Sequence, residues 1–171
     1  MFKNLLFLLI ILLLGGCSSP KKIIIPDSPA AAPLITGSVV NPSALEKGGT
    51  LVLSSFQPGS GAAADDDTDR MSLMMIKGIK DTLTEENTHF TIFTDEQKDS
   101  DFYLDGRIEN YERKGNIAHL IIDGEIEFSE TGEKVILFQT SAVIDLKTQN
   151  LKTVAYQIGV GIAHFIGRGS S

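Results

Sequence analysis

Cysteine is nearly absent from this chain of 171 residues, and tryptophan is absent altogether. The single cysteine, Cys17, cannot form a disulfide within the chain, so the core must be stabilised by packing alone. A zinc site built from several cysteines is excluded for the same reason. The three histidines, His89, His119 and His164, lie far apart, and none has a second ligand three or four residues away. We therefore predict no metal site.

Positive charge is also scarce. The chain has 15 Lys and Arg against 22 Asp and Glu, a formal net charge of -7, and its basic residues form no cluster. This balance excludes nucleic acid as an expected partner. Anionic lipid headgroups would repel such a domain, so any attachment to a membrane must come from acyl chains.

Motifs of the common catalytic sites are missing. The sequence contains no phosphate-binding G-x-x-x-x-G-K-[ST], no H-E-x-x-H and no G-x-S-x-G. The acidic run 65–69 fails as a calcium loop, since Arg70 and Ile76 occupy the sixth and twelfth positions, and it favours helix capping instead. Glu125 and Glu127 share one face of a predicted strand, a pattern more typical of a solvated edge than of a catalytic pair. We predict no catalytic residue, no cofactor and no enzyme activity.

Long hydrophobic runs are missing after the first seventeen residues. Lys3 precedes an apolar run from Leu5 to Leu14, and small residues follow it, which is the pattern of a secretory signal peptide over residues 1–16. As a helix this segment spans about 20 Å, short of the roughly 30 Å hydrocarbon core. Residues 14–17, Leu-Gly-Gly-Cys, resemble the lipobox of bacterial lipoproteins. The resemblance implies acylation of Cys17, including palmitate, and the alternative is a soluble secreted protein with a chance cysteine.

Residues 17–49 are predicted to form a tether, because prolines at 20, 26, 29, 33 and 42 favour extended chain. About thirty residues could hold a domain up to roughly 100 Å from its anchor. Ile23–Ile25 and Leu34-Ile35 interrupt this polar composition. They would either pack against the domain surface or serve as a docking strand for a neighbour.

Residues 50–171 are predicted to form one α+β domain. Apolar residues at helical spacing follow the acidic run, and apolar and polar residues alternate along three later segments, with Tyr111 on the polar side. Short strands are expected at 50–56 and 90–94. The predicted fold is an antiparallel or mixed sheet of four to five strands with two helices on one face. The predicted longer strands cover 101–112, 117–128 and 134–145, and the second helix starts at Leu151.

The second helix carries almost no charge between Val154 and Ile166. A helix on the surface of a monomer normally has a polar face, so a second apolar face indicates a partner. Each glycine costs such a helix about 1 kcal/mol relative to alanine, and close approach of another backbone is the usual reason to retain it. The predicted interface comprises Gly159, Val160, Gly161 and Ala163, and the alternative is a helix fully buried within its own domain.

The stretches 50–56, 101–108 and 117–145 resemble the TolB N-terminal-like domain of small bacterial outer-membrane lipoproteins. That group includes the lipoproteins of curli secretion, of Pel polysaccharide export, and those that activate penicillin-binding proteins. The resemblance implies a non-enzymatic role. This chain has no room for the long membrane-inserting hairpins of the curli channel, which argues against a pore of its own.

These observations predict a structural or assembly lipoprotein of an envelope export or secretion machine, forming homo-oligomers or binding envelope proteins. It would be anchored through the lipid on Cys17, with its domain facing the periplasm. Ser18 follows the cysteine, and by resemblance to the sorting rule of enteric bacteria this residue favours the outer membrane. The alternative is a tethered periplasmic activator of a peptidoglycan synthase. An envelope enzyme or a small-ligand binder is a further possibility.

Overall fold

The computed structural model describes residues 34–86, 88–94 and 99–169. Cys17, the signal peptide and Ile23–Ile25 lie outside the described residues. The described chain forms seven strands and three helices. In chain order they are β1 (Leu34–Val39), α1 (Pro42–Lys47), β2 (Gly49–Leu53), β3 (Gln57–Gly61), α2 (Asp66–Glu85), β4 (Phe90–Phe93), β5 (Phe102–Lys114), β6 (Ile117–Phe128), β7 (Lys134–Asp145) and α3 (Leu151–Gly169).

All seven strands belong to one mixed sheet, in the order β1-β7-β6-β5-β2-β4 with β3 also beside β5. The pairs β1–β7, β7–β6 and β6–β5 are antiparallel. Strands β2 and β3 run parallel to β5, and β4 runs parallel to β2. The predicted α+β class is confirmed. The predicted number of strands is wrong, because β1 comes from the predicted tether and β3 from a segment for which no strand was predicted.

The core lies between the helices and one face of the sheet. Alternate residues of the central strands, such as Leu104, Ile108 and Ile122, are fully buried in one apolar cluster with helix residues. Asp105 and Arg107, on the opposite face, are exposed. This alternation is what an antiparallel sheet with one covered face requires.

Residues 34–49 form part of this domain, which corrects its predicted start at Thr50. Strand β1 pairs with β7 over six positions, from Leu34 opposite Ser141 to Val39 opposite Ile136. In α1, which follows Asn41 as its N-cap, Leu45 is completely buried. The proline content of the segment is still consistent with this structure, since Pro42 stands in the first turn of α1, where no intrahelical N–H bond is lost.

A β-bulge between Ile108 and Asn110 changes the face of the sheet on which the later side chains of β5 lie. Beyond the bulge Tyr111 lies opposite Leu120, whose side chain points into the core. Residues opposite one another in a sheet share a face, so Tyr111 packs on the helix side. The predicted polar-side position of Tyr111 is therefore wrong, because strict alternation does not allow for an inserted residue.

The acidic run caps α2, as predicted. One carboxylate oxygen of Asp65 accepts hydrogen bonds from the backbone N–H groups of Asp67 and Thr68 at 3.1 and 3.0 Å. The Thr68 hydroxyl in turn accepts from the Asp65 N–H at 3.0 Å, which completes a capping box. Asp66, Asp67 and Asp69 add negative charge at the positive end of the helix dipole.

A polar cluster ties α2 to α3 at the surface. The Lys77 ammonium lies 2.5 Å from a carboxylate oxygen of Asp81, and the Tyr156 hydroxyl donates to the same oxygen at 3.1 Å. The hydrogen bond from Lys77 is the main reason why the pKa of Asp81 is held below its ordinary value.

This lowered pKa predicts a pH-dependent contribution to stability. The contribution is fully present above the ordinary aspartate pKa of about 3.9 and is lost as the pH falls through the lower folded-state value. Thermal melts should therefore show Asp81→Asn slightly less stable than the wild type at pH 7, by a few degrees at most because the pair is largely exposed. The difference should be constant well above the ordinary aspartate pKa and should shrink as the pH falls below it, and a difference that does not shrink with falling pH would show that the ion pair is not its source.

Candidate functional site

The predicted interface residues on α3 divide into two pairs. Gly159 and Ala163 are buried inside the domain. A Cβ added at Gly159 would lie 2.2 Å from the carbonyl oxygen of Met75 in α2, and one added at Gly78 of α2 would lie 2.3 Å from the carbonyl oxygen of Tyr156 in α3. The close backbone approach inferred from the sequence thus exists, but the second backbone is that of α2 in the same chain.

Val160 and Gly161 remain half-buried at the surface. A Cβ added at Gly161 would lie 3.2 Å from Cγ1 of Ile35 in β1, so this part of α3 borders the edge of the sheet. We call Ile35, Val160, Gly161 and the outer edge of β1 the β1–α3 surface. Only this half of the predicted interface is accessible to a partner.

The outer edge of β1 has two properties of a contact surface. Among the described strands β1 pairs only with β7, so its other edge presents backbone groups that no described strand uses. Residues 34–45 contain no charged side chain, and Leu34, which begins the strand, and Val40, which directly follows it, are 61% and 54% exposed. The sequence indicated Leu34-Ile35 as either a packed segment or a docking strand, but it assigned them to the tether and did not predict that β1 pairs with β7 as an edge of the sheet.

The open face of the sheet forms a shallow groove of about 890 Å³ between β1 and β5. Its lining side chains are mainly polar, and some of them bond to one another or to neighbours on the same face. Lys134 bonds Glu125 at 2.6 Å and also contacts Glu127, and the Gln139 amide donates to Asp123 at 2.6 Å. The hydrogen bonds from these two glutamates, Glu125 first, raise the pKa of Lys134.

Glu125 and Glu127 share one face of β6, as predicted, but β6 is a central strand and not an edge, and both side chains are partly covered. Both carboxylates are paired with one cation across the β6–β7 hairpin, which is unfavourable for a general acid and base that must exchange protons with a substrate. In the described ranges, no group of three or more His, Cys, Asp or Glu side chains could hold a metal ion. His164 instead lies beside Glu86, with Nδ1 2.7 Å from a carboxylate oxygen.

No described helix is both long enough and apolar enough to cross a membrane. The apolar content of α3 is accounted for mainly by burial, since Val154, Ala155, Ile158, Ile162 and Ile166 all lie in the core.

Comparison with known proteins gives a fold but no sequence family. No protein-family model and no curated protein matches this sequence. Among solved structures, the dodecamer of a PelC point variant from Paraburkholderia phytofirmans matches with a TM-score of 0.58 and 12% identity, over 78% of this chain and 96% of that chain. A second structure of the PelC dodecamer from the same organism, in another crystal form, matches with a TM-score of 0.55 and 11% identity, over 79% and 96%. This chain and PelC share a fold.

At these identities the comparison extends no further than the fold. It agrees with the predicted resemblance to small envelope lipoproteins at the level of architecture, while the TolB-like relationship remains a prediction. Nearly the whole PelC chain is covered, so this chain contains the equivalent of that entire domain.

Proposed function

We propose that this protein is a lipid-anchored, non-catalytic subunit of an envelope export or assembly machine and that it works as a homo-oligomer. The observation that carries the proposal is the fold match over 96% of the PelC chain, a protein whose structure is described as a dodecamer. The lipobox-like residues 14–17 supply the second support, since they provide an anchor for a chain that carries a secretory signal.

The proposed membrane anchor of the protein is the lipid on Cys17. Each buried CH₂ of an acyl chain adds about 0.8 kcal/mol of membrane affinity, so several chains hold a protein firmly. An acidic protein, whose full chain has a formal net charge of -7, gains no attraction from anionic headgroups, which leaves the lipid as the source of attachment. Ser18 after the cysteine favours the outer membrane, with the domain in the periplasm.

The β1–α3 surface is the proposed contact between copies. Two copies of an acidic protein repel one another, and the repulsion is smallest where neither presents a charge. The uncharged stretch 34–45 meets this condition, and the backbone groups on the free edge of β1 can pair with a neighbouring copy. Gly161 borders Ile35 and extends the same surface onto α3, and Val160, whose backbone nitrogen lies near Gly78 of α2, is its half-buried neighbour along the helix.

The alternative role as a tethered activator of a peptidoglycan synthase has weaker support. With β1 starting at Leu34, sixteen residues, 18–33, separate the predicted anchor from the domain. At about 3.3 Å per residue they span at most about 50 Å, half the reach expected for a tether over residues 17–49. A shorter reach suits a subunit held near its own membrane.

Mass spectrometry of the full-length protein extracted in mild detergent tests the proposal. Under denaturing conditions each chain should lack residues 1–16 and carry the extra mass of acyl chains. Cys17→Ser should remain an unlipidated precursor without that mass, and it should no longer fractionate with the outer membrane after a carbonate wash. Under native conditions the protein should contain more than one copy. Val160→Glu should lower the copy number by placing a charge in the contact, while Thr91→Glu, at an exposed position of β4 at the other end of the strand order, should not.

A monomer at every concentration would contradict the oligomeric role. Equal effects of Val160→Glu and Thr91→Glu would show that net charge, and not the β1–α3 surface, controls assembly.

A further inference from the structure

A second cleft, of about 320 Å³, lies where the N-terminal ends of α2 and α3 meet the far end of β5. Three cationic side chains from three different elements line it: Arg70 of α2, Arg113 of β5 and Lys152 of α3. We call this site the basic cleft. Its formation depends on tertiary structure, because the three residues are separated by about forty positions each along the chain.

The cations of the basic cleft are poorly neutralised. In the part of the chain that the structure describes, neither Arg113 nor Lys152 has an acidic partner within ion-pair distance. The Arg113 Nε donates only to the carbonyl oxygen of Gly115, at 3.1 Å. Arg70 has an exposed partner, Asp66, at 3.5 Å. Acidic residues outnumber basic ones in this protein. Most cations are therefore expected to have a carboxylate nearby, and cations without one in a single cleft are unusual.

The start of α3 adds to this positive potential. Its first turn contains no acidic residue and does contain Lys152, whereas the first turn of α2 contains three aspartates. A cation at the positive end of a helix dipole is unfavourable unless a negative charge stands nearby. The Asn150 side chain caps only the N–H of Lys152, at 2.9 Å. The positive end of the α3 dipole therefore adds to the positive potential of the three cations.

Two carboxylates oppose the cations. Asp66 pairs with Arg70, and Asp67 lines the cleft, where its Oδ2 accepts a hydrogen bond from the hydroxyl of Tyr111 at 3.4 Å. Burial, followed by the charge of Asp67, raises the pKa of Tyr111, so the phenol keeps this proton. Counting Asp66 and Asp67 against Arg70, Arg113 and Lys152, one positive charge remains at the cleft.

We propose that the basic cleft binds a small organic anion of about the size of one sugar, carrying a carboxylate or a phosphate. Arg113, Lys152 and Arg70 would hold the anionic group, because guanidinium and ammonium groups are the usual partners of both. Met71, Leu146 and Leu151, with the ring of Tyr111, form an apolar wall for the body of the ligand. The volume falls at the lower end of the range typical of small-molecule sites. This inference is independent of the proposed oligomeric role.

Isothermal titration calorimetry on the full-length protein in detergent tests this inference with three probes: glucuronate, glucose 6-phosphate and glucose. At least one of the two anions should bind with a dissociation constant of about 1 mM or lower, and glucose should not bind. The two anions distinguish a carboxylate from a phosphate ligand. Lys152→Gln and Arg113→Gln should each weaken binding about tenfold, since each removes one charge-assisted contact.

Two further variants decide whether the cleft itself is responsible. Lys147→Gln removes an exposed lysine that lies near α3 but does not line the cleft, and binding should stay within about twofold. Asp67→Asn removes one of the opposing charges and should tighten binding severalfold. The inference is overturned if neither anion binds, if glucose binds equally well, or if Lys147→Gln weakens binding as much as Lys152→Gln. Circular dichroism melts check that the variants remain folded.

Discussion

Gly159→Ala should lower the free energy of unfolding by about 2–3 kcal/mol, although alanine is the better helix former. The added methyl would lie 2.2 Å from the carbonyl oxygen of Met75, a backbone atom of α2 that cannot move without shifting the whole helix. The steric cost should therefore exceed the roughly 1 kcal/mol that alanine contributes within a helix. Urea denaturation followed by circular dichroism measures the difference.

Gly161→Ala provides the matched control, two residues further along the same helix. Its methyl would lie 3.2 Å from Cγ1 of Ile35, a side-chain atom that can move by the few tenths of an ångström required. The helix gain of up to about 1 kcal/mol then dominates, so this variant should be neutral or more stable. If Gly159→Ala instead leaves stability unchanged and breaks up the oligomer, the packing of α2 on α3 would be incorrect and the interface predicted from the sequence would be restored.

The two glycines also show what a sequence can reveal about a packed helix. Glycine within an apolar helix indicates that another backbone comes close, and this inference is correct at Gly159. The sequence does not say which backbone, because the reciprocal Gly78 lies about eighty residues away, in a helix whose apolar face is complete without it. The amphipathic pattern of α2 is easier to predict, since Met71, Met75, Ile79 and Leu83 follow one local period and are all buried as expected.

Local pattern fails where tertiary pairing overrides composition. The Pro58-Gly59 pair predicts the end of a strand, yet β3 includes it, because proline is tolerated where a strand has a free edge. Tyr111 is predicted on the wrong face because the bulge that turns it inward depends on the pairing of β5 with β6. The basic cleft has no sequence signature at all, since its cations meet only after the helices pack on the sheet.

Leu45→Ala should lower the free energy of unfolding by about 2–5 kcal/mol, the usual cost of removing a buried leucine side chain. Leu45 belongs to the short helix α1, in the segment whose proline content predicts a tether, yet it is completely buried in the main core cluster. Leu34→Ala is the control from the same segment. Leu34 is 61% exposed, so its truncation should change stability by no more than about 0.5 kcal/mol.

The substitutions Leu45→Ala and Leu34→Ala test the proposed function as well as the fold. A large effect of Leu45→Ala fixes residues 34–49 in the domain and limits the tether to residues 18–33, which favours a subunit held close to its membrane over an activator that reaches across the periplasm. Equal and small effects of both substitutions would mean that α1 contributes little to the folded domain. The segment could then detach and lengthen the tether towards the roughly 100 Å first expected, and the activator role would regain its support.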